Sequence, residues 1–62
     1  MTIEQLKTLH DLLIDLAQEI YDRGGVGGPA YAAIVEATRQ VLICTRGFHG
    51  KEGDEAIEKW DR

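Results

Sequence analysis

Between Leu6 and Ile20 the residues Leu6, Leu9, Leu13, Leu16 and Ile20 recur at steps of three, four, three and four. That rhythm keeps one stripe of a helix apolar and predicts a helix packed lengthwise against another. A second strip, Ile3, Lys7, His10, Ile14, Ala17 and Tyr21, lies one row round and is partly apolar. Leu12 widens the opposite flank, while Asp11, Asp15, Gln18, Glu19 and Asp22 make a wet side. The apolar arc is broader than a two-helix contact needs, so the pattern predicts neighbours on two sides. Thr2 and Gln5 have the spacing of a capping box. Glu4 suits the positive end of the helix dipole. No Gly or Pro follows until Gly24, so the helix is expected over residues 3–23.

Gly24-Gly25-Val26-Gly27-Gly28 reads as a turn over residues 24–28. Gly24 can adopt the left-handed conformation that ends helices. Pro29 suits the first turn of the next helix, where its missing N–H costs nothing. That second helix is expected over residues 29–46, with a seam of Ala30, Ile34, Ala37, Val41 and Cys44. Beside the seam runs a largely apolar strip, Tyr31, Val35, Thr38, Leu42 and Thr45. Only Glu36, Arg39, Gln40 and Arg46 are plainly polar, which places this helix at the centre of an assembly. Gly47 reads as the residue just past its end, with Phe48 folding back over the cap. Residues 48–53 read as a polar link. Asp54 then resembles an N-cap for a short helix over residues 54–61, with Ala56, Ile57 and Trp60 on one side. A helix so short forms only when docked. The expected fold is all-α: one domain over residues 1–62, an antiparallel helical hairpin plus a short C-terminal helix, assembling into a helical bundle.

Length sharpens that expectation. A chain of 62 residues buries only about 60% of its unfolded surface, and small domains usually lean on disulfides, metals or partners. Cys44 is the single cysteine, so no disulfide forms within one chain. His10 and His49 are the only histidines and lie far apart, without zinc-type spacing, so no metal and no cofactor are expected. Oligomerisation or docking on another protein remains as the extra source of stability. Seven basic against eleven acidic residues give a net charge of −4, which disfavours general nucleic-acid binding. No stretch reads as a signal peptide or membrane span, and the chain reads as cytoplasmic.

The chemistry-bearing residues divide into two sets. A ligand-binding reading joins Arg23, Gly25, Gly27, Gly28, Tyr31 and Arg39. Backbone amides at a helix start bind anions, and Arg forks grip phosphate or carboxylate. The turn nonetheless lacks the Lys-Ser/Thr ending of a phosphate loop, and no strand precedes it. The plainer reading makes the turn a connector and pairs Arg39 and Arg46 with Asp15, Asp22 or Glu36. A partner-interface reading joins Tyr21, Phe48, Ile57 and Trp60, because aromatics concentrate at binding hot spots. His10 reads as a half-buried packing residue, and Asp11 beside it is expected to point elsewhere. His49 reads as a solvated loop histidine, and Cys44 as an inert seam thiol. In size and shape the chain is similar to small acidic helical regulators, inhibitors and nucleotide-sequestering proteins of bacteria and phages, a likeness that no motif carries further. The expected function is a non-enzymatic interaction module that self-associates and binds or inhibits a partner protein. The alternative is an oligomer that sequesters a nucleotide or other phosphate-bearing anion between subunits.

Overall fold

Thr2 Oγ1 accepts the Gln5 amide at 3.0 Å, and Gln5 Oε1 accepts the Thr2 amide at 2.8 Å. This reciprocal box satisfies two amides that a helix start leaves open. It opens α1, which spans Ile3–Asp22 in the computed structural model, whose description covers residues 1–60. The Gly24 amide donates to the Tyr21 carbonyl at 3.0 Å and the Gly25 amide to the Ile20 carbonyl at 2.9 Å. These crossed bonds, with Gly24 at φ +78°, close the helix as a Schellman motif. Gly25 is needed for space as well, since a Cβ there would come within 2.7 Å of Ile20 Cγ2.

The second helix, α2, spans Pro29–Trp60. Its one non-helical residue is Gly50, at φ 56° and ψ −125°. There the chain turns back on itself. Gly53 comes to lie buried against the backbone carbonyl of Thr45. Arg46 Nε donates to Asp54 Oδ1 at 2.8 Å, and the Trp60 ring reaches His10. At this same end His49 Nε2 donates to the Met1 carbonyl at 2.8 Å.

The expected hairpin plus separate short helix is therefore corrected: the described chain has two helices, not three. Residues 48–53 are not a link, Gly47 does not end the second helix, and Asp54 is not an N-cap. The physical reason lies in what must meet. Three further residues of helix carry the reversal from Gly47 to Gly50, and only then does Gly53 fall against Thr45. Asp54 spends its carboxylate on Arg46 instead of on helix amides. The expected end of the short helix at Asp61 lies outside the described residues.

The core sits where three stretches overlap. Leu6 and His10 come from α1, Val41 and Thr45 from α2 before Gly50, and Gly53 and Ile57 from α2 after it; all six are buried. Thr45 satisfies its hydroxyl by donating to the Val41 carbonyl at 2.8 Å, so its burial leaves no orphan donor. Towards the glycine turn the molecule is two helices thick. There Leu13, Ala17 and Ile20 of α1 and Tyr31, Ile34, Ala37 and Thr38 of α2 are only half-buried. None of the helices is long and apolar enough to cross a membrane.

Candidate functional site: apolar faces and a groove

The inward face of α1 is rotated from the one its leucine rhythm predicts. Leu6 is buried and Leu13 and Ile20 are half-buried, yet Leu9 is 37% exposed and Leu16 46%. His10 and Ala17, from the neighbouring strip, turn inward instead. The cause is the stretch after Gly50. It covers α1 at His10, so that position becomes interior while Leu9, Leu12 and Leu16 stay on the outside. Leu9, Leu12 and Leu16 are left as an exposed row, with Leu12 at 56%. Periodicity alone places Leu12 only on a flank of the leucine stripe.

A groove of about 320 Å³ opens between the helices at the turn end. Ile14, Ala17, Gln18, Tyr21 and Tyr31 line it. Its floor continues the surface that the last stretch of α2 already covers. His10, Ile14, Ala17 and Tyr21 follow one another along α1 at steps of four, three and four, which is one helical row. Tyr31, Thr38 and Thr45 follow at steps of seven along α2, again nearly one row. Trp60 covers His10 and Gly53 covers Thr45; Ile14, Tyr21 and Tyr31 have no such cover.

Of the ligand-binding set, Tyr31 lines this groove while Arg23 does not. Arg23 Nη2 instead donates to Glu19 Oε1 at 3.2 Å. The amides of Gly25 and Gly28 donate to the carbonyls of Ile20 and Gly25, inside the turn. Gly27 and Arg39 are exposed, and Arg39 has no ion pair among the described residues. Arg46 pairs with Asp54 and not with the acids expected for it. Of the partner-interface set, Tyr21 and Phe48 are exposed, Phe48 at 69%. Ile57 is a core residue, and Trp60 is half-buried with its ring centroid 5.2 Å from that of His10.

The His10 and Asp11 side chains do meet, contrary to the expectation for sequence neighbours on a helix. Asp11 Oδ1 lies 3.4 Å from His10 Nδ1, while Lys7 Nζ donates to Asp11 Oδ2 at 2.6 Å. The Lys7 hydrogen bond, followed by the one from His10, holds the Asp11 carboxyl below its ordinary range. His49 is also not a loop residue, since it sits in α2 and bonds the Met1 carbonyl. Cys44 is half-buried. Among the described residues no three His, Cys, Asp or Glu side chains are grouped to hold a metal ion. No family model matches this chain, and neither a curated protein nor a solved structure is similar to it.

Proposed function

We propose that this chain is a small non-enzymatic helical interaction module that self-associates and binds or inhibits a partner protein. One observation carries the reading: the balance between what the fold covers and what it leaves out. Its buried apolar side chains are Leu6, Val41 and Ile57. Leu9, Leu12, Ile14, Leu16, Tyr21, Val35, Ile43 and Phe48 all stay exposed. Each square ångström of apolar surface withdrawn from water contributes about 25 cal/mol. A surface this rich in large apolar groups gains more from a protein neighbour than from water. Tyr21 and Phe48 are the exposed aromatics suited to anchor a partner, because aromatic anchors concentrate binding energy.

Sedimentation equilibrium on the purified chain tests the first half of this function. Association that deepens with concentration is expected. A chain that stays monomeric and folded at every concentration reached would sink it.

A further inference from the structure

We infer that residues 51–60 are an exchangeable segment and that Gly50 is its hinge. In the exchanged form α2 runs straight through Gly50, and residues 51–60 of each chain cover the core of a second copy. The inference rests on the self-association proposed above and names the contact that makes it. Gly50 is the one residue of α2 with non-helical geometry, and the stretches on both sides of it are helix. Its φ of 56° and ψ of −125° belong to a region that glycine enters freely and other residues avoid. A Cβ at Gly50 meets nothing within 4 Å, so a side chain there opposes the reversal through the backbone alone. The reversal thus depends on the conformation of one residue, and helix is the ready alternative.

The phase of the buried residues is the first argument. Val41, Thr45, Gly53 and Ile57 are buried and His49 is half-buried. They fall at steps of four, the spacing of one face of a single unbroken helix. The reversal at Gly50 interrupts the helix without breaking that spacing. The face is also symmetric about His49, with Thr45 and Gly53 as its inner pair and Val41 and Ile57 as its outer pair. A two-fold axis beside position 49 sets the first half of this face on the second half of a copy. Thr45 and Gly53 are small, which lets two helices approach closely at that point.

The contacts across the reversal are the second argument. Gly53 packs on the Thr45 carbonyl, and Arg46 Nε donates to Asp54 Oδ1 at 2.8 Å. Each contact joins residues eight apart. In a straight helix such residues lie about 12 Å apart along the axis, so neither contact survives within one chain. Both pairs are centred on positions 49–50, so one two-fold axis re-forms each of them twice between chains. The exchanged pair keeps the contacts of the closed chain, and its two hinges become helix. Dilution favours the closed chain, because its segment is tethered beside its own core.

The test is sedimentation equilibrium and solution X-ray scattering on the full chain, refolded from urea at a series of concentrations. Gly50→Ala penalises the reversal and favours helix at both hinges of a pair. It is expected to raise the dimerisation constant at least about a hundredfold over the unmodified chain, about tenfold per hinge. From Pro29 to Gly50 a helix spans about 31 Å, so two chains joined there are at least about 50 Å long, against 37 Å for one chain. Adding Gly53→Ala to Gly50→Ala is expected to remove the gain, because the methyl meets the Thr45 carbonyl of either copy. Thr2→Ala destabilises the fold away from the hinge and is expected to leave the constant within about twofold. A Gly50→Ala chain that stays monomeric at every concentration, folded or helix-poor by circular dichroism, overturns the exchange. So does a dimer shorter than about 50 Å, one that Gly53→Ala leaves intact, or an equal rise in Thr2→Ala. If the unmodified chain associates and Gly50→Ala gains nothing, self-association stands and the exchange falls. If Gly50→Ala pairs and the unmodified chain never does, the hinge stands and self-association of the native chain falls.

Discussion

A methyl group at position 53 has nowhere to go. The Cβ of an alanine there would run into the Thr45 carbonyl, and backbone cannot swing aside as a side chain does. Gly53→Ala is expected to destabilise the fold by roughly 1–3 kcal/mol, the usual range for overpacking. Urea denaturation would measure it; an unchanged midpoint would mean the two backbones are not in contact. Gly47 and Gly50 carry opposite signs. Gly47 has helical geometry with open space around it, so Gly47→Ala should stabilise by about 0.5–1 kcal/mol. Gly50 has φ 56°, so Gly50→Ala should cost on the order of 1–2 kcal/mol. A thermal melt of each decides, and the reverse pair of signs would return the helix end to Gly47. Asp11 offers a titration. Its carboxyl is held low in the folded state, first by Lys7 and then by His10. The stability it contributes is therefore present above the unfolded carboxylate range and lost as pH falls through the lower folded value. An NMR titration should place its midpoint below 3.8, and Lys7→Ala should raise it.

At the scale of elements, local chemistry at the start of α1 and around the glycine turn was legible because every partner lies within five residues. Thr2 and Gln5 cap each other, and Gly24 and Gly25 bond back to Tyr21 and Ile20. Thr2→Ala should cost about 1 kcal/mol, typical of a lost N-cap. For a domain of this size that lowers the melting temperature by about 4–8 °C. The end of α2 was not legible. Three glycines, Gly47, Gly50 and Gly53, punctuate one stretch, and each is a plausible stop by composition. Which one turns the chain depends on the contact of Gly53 with Thr45 and the pairing of Arg46 with Asp54. Both join residues eight apart across a reversal, and helical periodicity carries no information about them.

At the scale of the whole molecule, Trp60 is the reporter. It is the only tryptophan, and it stacks on buried His10 at a tilt of 39°. Its docking holds the last stretch of α2 over the core. His10→Ala should shift Trp60 emission to longer wavelength and lower the denaturation midpoint together. An unchanged spectrum would mean that the ring does not rest there. The same stretch governs the exposed surface. It buries His10 under Trp60, while Leu9 and Leu16 on one side and Ile14 and Tyr21 further along α1 stay exposed.

The order of residues alone determined that the chain is helical, that it breaks at the glycine turn, and that its apolar arcs are too wide for two helices to cover. These follow from periodicity and from bonds between near neighbours. Only the tertiary structure decided which leucines are interior, where Gly50 reverses the chain, and which part of the groove stays open. Those outcomes depend on contacts between segments far apart in the chain, and a helical row looks the same whether a neighbour lies against it or water does.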